Sequence, residues 1–443
     1  MGYSNLNENL INDFSVKKYA HLQYASKSDI LKVQTELFLE HLKFTTQNSP
    51  FYRNLYKDID ISAIKNISDI EKLPFTTKSD MVNTSQFLAV KDKDIVDICL
   101  TSATSSPTPT IISQTSSDLK RLAYNEELAL NIAGITENDT MLICAAIDRC
   151  FMAGLAYFLG GVKLNTKVVR GGSGKPAQHW ELIKLLNITV IIGVPSLLYK
   201  IGEYARENNE DPAKTSVKKL IAIGEPTKNK KLELLPVADE LENMWDAKIY
   251  STYASSELAT TFCECEARNG GHMRPELNLI EILNDDGTPV NDGETGEVIT
   301  TPIGITGMPL IRFKTGDISY VINDKCSCGR TTKRLGPIIG RKNQMLKYKG
   351  TTVFPDSIIS ALEGDPRFHL GYIEASLNND KTDKIILFAS LKEPSSSHQW
   401  IAEKLRAKIR VVPEIILVSK DETEKKVYQF DKKRKRMTFF DLR

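Results

Sequence analysis

Apolar residues recur at three-to-four spacing from Ile30 through Leu31, Val33, Leu37, Leu39 and Leu42, which predicts helix across residues 25–60 until NSPFYR (48–53) breaks the pattern. A second helix is expected over 117–130, followed by the apolar run MLICAAIDRCFMAGLAYFLGGV (141–162). Three further runs, ITVIIGVPSLL (188–198), KLIAIGEP (219–226) and KIYSTYASSE (248–257), alternate with charged amphipathic stretches. Such alternation predicts α/β layers around a largely parallel sheet. Turn signals at Asp285-Asp286-Gly287 and Asn291-Asp292-Gly293 mark a β-rich subdomain near 276–320. Within it RFKTGD (312–317) alternates up to Gly316 and reads as a strand ending in a tight turn that exposes the Asp317 carboxylate. After Arg341 the pattern becomes that of a small βαβ-like domain: MLKYKGTTVFP, an amphipathic helix over 357–362, the strand KIILFAS, a helix near 397–409 and the strand EIILVS.

Length and charge narrow the picture. A chain of 443 residues exceeds what one core covers, so two domains or more are expected. Lys and Arg total 58 against 56 Asp and Glu, a net charge of +2 that gives no general case for nucleic acid or membrane as partner. No apolar run reaches the roughly 18 residues that span a bilayer. The N-terminus lacks a basic apolar signal segment, and Leu6 stands where a myristoylation site wants Ser or Thr, so a cytoplasmic protein is expected. Seven cysteines, four of them in two Cys-x-Cys pairs, do not form the framework of a secreted disulfide protein.

The candidate chemistry lies in four stretches. TSATSSPTPT (101–110) follows a short apolar run and offers the hydroxyls of Thr101, Ser102, Thr104, Ser105 and Ser106, either as a phosphate loop or as an exposed Ser/Thr-rich linker. Gly224-Glu225-Pro226 breaks a buried strand with a flat backbone edge of the kind that lies beside an adenine. TYASSE (252–257) ends on Glu257, a carboxylate suited to Mg²⁺, which prefers hard oxygen ligands beside phosphates. Asp317 can accept two ribose hydroxyls, or it is simply a turn residue. FCECEARNGGH (262–272) and CSCG (326–329) bring four thiols and one imidazole, ligands that tetrahedral Zn²⁺ takes, although reduced and partly buried cysteines would also read this way.

With GRKNQMLK (340–347) after these pieces, and with NSPFYR and LPFTTKSD (73–80) before them, the chain resembles the adenylate-forming superfamily and specifically the phenylacetate-CoA ligase family, over nearly its whole length. The resemblance implies a large N-terminal adenylate-forming domain (1–342) with layered sheets and helices, plus a small, mobile α+β C-terminal domain (343–443). It implies a two-step reaction: a carboxylic acid and MgATP give an acyl-adenylate and pyrophosphate, then coenzyme A takes the acyl group as a thioester. An aryl or arylacetic acid such as phenylacetate is the expected substrate, and a homodimer the expected assembly.

Carried over by position, Tyr253 and Ala254 join the nucleotide contacts, with Arg330 and Arg341 as partners for ribose or phosphate oxygens and Arg312 supporting the turn. Phe151, Met152, Gly154 and Tyr157 become acyl-pocket candidates beside RGGSG (170–174), with core packing as the alternative. Asn343 takes the hinge position, where Asp or Lys is usual. Counting back from FFDLR aligns the catalytic lysine with Lys433, between Lys432 and Lys435, in a basic stretch otherwise readable as a nucleic-acid patch or a solvated tail. The zinc-bearing relatives' pattern selects Cys265, His272, Cys326 and Cys328, with Cys263 in reserve; with all four places filled by protein the metal would be structural. The phosphate loop departs from the family, since Thr104 and Pro107 stand where glycines are expected and Pro107 has no N–H to donate. Two rival functions follow: an adenylate-forming enzyme with an acceptor other than coenzyme A, and a catalytically lapsed nucleotide-binding homologue. A zinc-plus-basic-tail nucleic-acid binder fits the charge less well.

Overall fold

Helix α1 (Lys27–Asn48) begins where the Ser26 hydroxyl accepts the Asp29 amide at 3.1 Å. The helical stretch expected over 25–60 divides at Ser49-Pro50, because proline has no N–H with which to continue α1, and the short α2 (Pro50–Leu55) starts on that proline. The computed structural model describes residues 19–101, 109–348, 351–378, 383–393, 398–409, 412–428 and 436–443. Among them, no helix is long and apolar enough to cross a membrane.

The antiparallel hairpin β1 (Ile95–Leu100) and β2 (Ile111–Thr115) leads into α3 (Ser116–Ile132), the helix expected at 117–130. A reciprocal pair of bonds between Thr115 and Asp118 caps its start. Strands β3 (Thr140–Ile143), β4 (Lys167–Arg170), β5 (Val190–Gly193), β6 (Lys219–Ala222), β7 (Lys248–Ser255) and β8 (Thr260–Cys263) then form one sheet in the order β4-β3-β5-β6-β7-β8. All neighbours are parallel except β7 and β8. Helices α4 (Met152–Lys163), α5 (Pro176–Leu186) and α6 (Pro195–Glu207) make the crossovers, and α7 (Pro236–Trp245) precedes β7. Val190, Ile191 and Ile192 are wholly buried, which is why the parallel strands read as unbroken apolar runs.

Strands β9 (Gly271–His272), β10 (Asn278–Leu283) and β11 (Gly296–Pro302) follow, with β10 and β11 antiparallel. The connection between that pair holds Gly287 at φ 85° and Gly293 at φ 77°, the left-handed positions that the two Asp-Gly turns predict. Strand β12 (Phe313–Ser319) corrects one expectation: it runs through Thr315-Gly316-Asp317 instead of ending there. Gly316 at φ 76° kinks the strand, and Asp317 is buried, so its carboxylate is not displayed on an open turn. Short strands β13 (Val321–Ile322) and β14 (Arg334–Leu335) complete a three-stranded sheet with β9.

The chain divides into two compact units, one of Met1–Pro226, Glu242–Thr315 and Ser319–Pro337, the other of Thr227–Leu241, Gly316–Ile318 and Ile338–Arg443. The larger unit holds separate cores, one beneath α1 and α2 around Phe38, Tyr52 and Phe87, another under the parallel sheet around Met141, Val190 and Tyr157. In the smaller unit come β15 (Gly340–Arg341), β16 (Leu346–Tyr348), β17 (Thr351–Val353), α8 (Pro355–Leu362), β18 (Phe368–Leu377), β19 (Asp383–Leu391), α9 (Gln399–Ile409), β20 (Glu414–Leu417), α10 (Lys420–Val427) and β21 (Phe439–Asp441). Its main sheet, ordered β20-β19-β18-β21, is antiparallel at its centre and parallel at both flanks, and packs over Ile358, Leu362, Ile401 and Leu405. The terminal FFDLR motif supplies β21, and Arg443 donates to the Asp383 carboxylate at 3.1 Å.

Candidate functional site

In a parallel sheet, groups that serve a ligand collect beyond the carboxyl ends of the strands. RGGSG follows β4, Gly224-Glu225-Pro226 follows β6 and Glu257 follows β7, so three of the stretches singled out in the sequence leave the same edge of one sheet. Thr252 ties the last two together by donating to the Ala222 carbonyl at 2.8 Å. Gly224 takes φ 70°, and the Glu225 carboxylate accepts from Ser196 N at 2.9 Å and Ser196 Oγ at 2.7 Å, at the start of α6. Glu225 thus shapes this edge through its bond to the helix. Tyr253 stacks on Phe262 at 6.3 Å, with Ala254 exposed beside it.

Glu257 sits in the turn between β7 and β8, closed by Leu258 N donating to Ser255 Oγ at 3.2 Å. It lines a narrow cleft with Ser256, Ser113, Gln114 and Asp118, so strand β2 of the hairpin faces the same space. Gln114 is buried, and its side-chain oxygen has no hydrogen-bond partner among the described residues. The loop end of the hairpin is closed by Thr101, whose N–H donates to the Thr110 carbonyl and whose hydroxyl accepts the Thr110 amide, both at 3.0 Å. Ser102, Thr104, Ser105 and Ser106 lie outside the described residues.

Two buried groups that sequence reading did not single out fix this turn and its surroundings. Arg121 of α3 donates to the carbonyls of Ala259, Leu277 and Ile303, bracing the chain directly after Glu257. Asp118 accepts from the Thr115, Thr306 and Gly307 amides at 2.9, 2.7 and 2.8 Å. The capping signal TSSD was available for Asp118; Arg121 had no local signal, because its partners lie 138 to 182 residues away.

A lattice of buried bonds also explains why NSPFYR, LPFTTKSD and RFKTGD occur together. Tyr52 accepts the Ile311 amide at 2.8 Å, and its hydroxyl lies 2.9 Å from that of Thr76, which donates to the Ile311 carbonyl at 2.8 Å. Thr76 N donates to the Arg312 carbonyl at 3.1 Å and Lys314 N to the Thr76 carbonyl at 2.8 Å, so LPFTT lies alongside the start of β12. The Arg312 guanidinium grips both Glu281 oxygens, at 2.7 and 3.1 Å, donates to the Glu71 and Leu73 carbonyls, and stacks over Phe75. Arg312 thus ties the start of β12 to Glu281 and to the 71–75 segment. The next residues turn on Asp80, which accepts Thr77 N at 2.7 Å, and Lys78 reaches 3.4 Å from the Glu257 carboxylate.

The smaller unit carries Asp317 opposite Arg341, residues that pair in register across β12 and β15 with Arg341 Nε 3.3 Å from Asp317 Oδ1. Asn343 lies in a short 3-10 turn, its carbonyl accepting from Arg443 at 3.2 Å. Lys432, Lys433 and Lys435 lie outside the described residues. In the larger unit Arg330 is engaged by Gln23, to which it donates at 2.7 Å, and lies over the Tyr24 ring. The acyl-pocket candidates divide between two cores: Met152 belongs to the core beneath α1, whereas Phe151 and Tyr157 pack in the core under the sheet. Gly154 lets α4 press on the Ala146 carbonyl, since a Cβ there would stand 2.2 Å from that oxygen.

The sulfur and nitrogen ligands form the tightest chemical cluster among the described residues. Donor atoms of Cys265, His272, Cys326 and Cys328 all lie within 4.8 Å of one another. Cys265 Sγ is 3.5 Å from Cys326 Sγ, and Cys328 Sγ is 3.4 Å from His272 Nε2. Sulfurs at about 2.3 Å from a tetrahedral zinc stand roughly 3.8 Å apart, so this cage suits that ion. Thr332 Oγ1 meets His272 Nδ1 at 3.0 Å, fixing the ring from behind. Burial, and then the cationic Arg274, hold His272 down to about 3, so the imidazole is neutral as a metal ligand requires. Burial pushes the Cys265 thiol up to about 12, a cost that a bound cation would offset by taking the thiolate. Cys263 points away into the core under the sheet.

Residues 38–306 match the family described as AMP-binding enzyme, and the chain belongs to that family. Among curated relatives, the phenylacetate-coenzyme A ligase of Thermus thermophilus is 26% identical over 84% of each chain, and that of Escherichia coli 27% identical over 76% of this chain and 77% of its own. A crystal structure of 2-hydroxyisobutyryl-CoA ligase in the postadenylation state superposes with a TM-score of 0.84 at 21% identity, covering 96% of this chain and 92% of its own. The fold is therefore that of adenylate-forming ligases.

Proposed function

We propose that this chain is an ATP-dependent, AMP-forming carboxylate-CoA ligase acting on an aryl or arylacetic acid such as phenylacetate. The observation that carries the reading is the placement of Glu257 at the carboxyl edge of the parallel sheet, in one cleft with the strand that leaves the hydroxyl-rich loop. In the first step a carboxylate oxygen attacks the α-phosphorus of ATP and pyrophosphate leaves. In the second the sulfur of coenzyme A attacks the acyl carbon, the tetrahedral adduct collapses, and AMP leaves.

Each candidate then has a role. Glu257 is the hard oxygen ligand for Mg²⁺, whose chemistry when bound is to neutralise phosphate charge. The backbone of Gly224, Glu225 and Pro226, with Tyr253 and Ala254, borders the adenine; Asp317 accepts the ribose hydroxyls, with Arg341 beside it. Thr101, Ser102, Thr104, Ser105 and Ser106 serve the phosphates, and Lys433 stabilises charge developing between carboxylate and α-phosphate. Phe151, Met152, Gly154 and Tyr157 shape the acyl side. Cys265, His272, Cys326 and Cys328 hold a structural Zn²⁺ with no open position.

Pro107 and Thr104 in the loop favour a second reading, a homologue that binds nucleotide without adenylating. Exchange of labelled pyrophosphate into ATP separates the two. The ligase reading expects exchange that depends on an added aryl or arylacetic acid; MgATP binding without exchange for any acid in a broad panel establishes the second reading.

A further inference from the structure

His179, near the start of α5, is wholly buried, and both of its ring nitrogens meet backbone carbonyls. Nδ1 lies 3.0 Å from the carbonyl of Lys175 and Nε2 3.1 Å from that of Gly172. One imidazole thus spans RGGSG from its middle to the residue that follows it. The loop is shaped around the ring: a Cβ on Gly171 would stand 2.9 Å from His179 Cδ2, and one on Gly174 3.2 Å from Cε1. Gly172 between them takes φ 65°, a left-handed conformation in which its carbonyl reaches Nε2. The loop's other anchor is the end of β3, where the Gly171 and Gly172 amides both donate to the Ile143 carbonyl, at 3.1 and 3.0 Å. Glycine backbone has little conformational preference of its own, so the ring and that carbonyl decide where the loop lies.

What the loop reaches gives this anchoring a purpose. It leaves β4 at the carboxyl edge of the parallel sheet, and the Ser173 hydroxyl at its tip accepts from Arg149 Nη2 at 3.3 Å. Arg149 and Cys150 hold φ 54° and 55°, a strained pair that leads directly into Phe151 and Met152. The loop is therefore set against the segment that carries two of the acyl-side residues. Deepening the ligase reading, and resting on it, we infer that His179 is a positioning residue for the carboxylic acid. It meets no substrate atom; it fixes the RGGSG backbone, and through that backbone the wall that the acid packs against. Misplacing such a wall by about 1 Å is enough to cost on the order of a hundredfold in rate.

Acid-dependent exchange of labelled pyrophosphate into ATP is measured for wild type, His179→Asn and His179→Gln, with acid and MgATP varied in turn. The acid is phenylacetate, or whichever member of an aryl, arylacetic and aliphatic panel supports the fastest wild-type exchange. A Gln amide nitrogen reaches as far as Nε2 and keeps a donor for the Gly172 carbonyl, whereas an Asn nitrogen stops at the place of Nδ1. The expected result is an acid KM raised at least tenfold in His179→Asn and returned to within threefold of wild type in His179→Gln. The MgATP KM stays within twofold in both, which also shows that the variants are folded. A wild-type acid KM in His179→Asn overturns the assignment. An equal rise for acid and MgATP overturns it too, since that marks a general prop of the core, as does equal impairment of the Asn and Gln variants, which denies the Gly172 bond its role. If wild-type protein exchanges with no acid of the panel, the ligase reading fails first and this assignment with it.

Discussion

Glu126 stands mid-helix in α3 with its carboxyl group fully buried; one oxygen accepts from Thr261 and Asn125, and the other has no partner among the described residues. Burial, against smaller opposing effects from Thr261, Arg274 and Asn125, lifts it from 4.5 to about 7. Because the native state holds this proton more tightly than the unfolded chain, the stabilisation is complete below about pH 4.5 and is lost as pH rises through about 7. Relative to wild type, Glu126→Gln should therefore gain about 3 kcal/mol of stability between pH 4.5 and pH 8, read by urea denaturation at each pH. Parallel curves would contradict the buried proton. Arg312 gives a second test. Arg312→Met leaves Glu281 buried without its bidentate partner and should cost about 3–5 kcal/mol, with Arg312→Lys recovering little since lysine cannot make the fork. A denaturation midpoint within error of wild type would show that the lattice around Thr76 does not depend on Arg312. At this scale the sequence displayed residue types but not their partners. Glu257 and Cys326 were legible because motifs carry them, whereas Arg121 and Glu126 look like ordinary polar positions of an amphipathic helix.

The segments bearing Cys265, His272, Cys326 and Cys328 are joined by the pairing of β9 with β14, a ladder of two residues on each side. So short a contact holds poorly by itself, and bound metal would contribute its binding free energy to folding. Protein purified without chelator should contain one zinc per chain by elemental analysis. Cys326→Ser or chelation should lower the melting temperature, whereas Cys263→Ser should keep the metal; zinc lost from Cys263→Ser but retained in Cys265→Ser would reassign the ligands. Elements were legible where one strand's own pattern decides its fate, as in the apolar run of β5. They were not where a distant partner decides: β12 continues past Gly316 because β15 pairs with Asp317 and Ile318 from more than twenty residues on. Strand β18 is not legible in the sequence for a related reason. Buried on both faces along its centre, it lacks the clean alternation of a half-exposed strand.

For the molecule as a whole, the α/β layering and the small α+β unit follow from hydrophobic patterning, and the family from a handful of motifs. The unit boundary does not: residues 227–241 and 316–318 group with the C-terminal part through contacts that no linear reading displays. RGGSG, Gly224-Glu225-Pro226 and Glu257 share the carboxyl edge of one sheet, and the activity proposed for that edge is open to a direct measurement. Purified protein is incubated with MgATP, coenzyme A and phenylacetate, and the products are separated and identified by mass. The account predicts phenylacetyl-CoA and AMP in equal amounts, with neither formed when the acid is omitted. AMP and thioester both absent across a panel of aryl, arylacetic and aliphatic acids, from protein that binds MgATP, would contradict it.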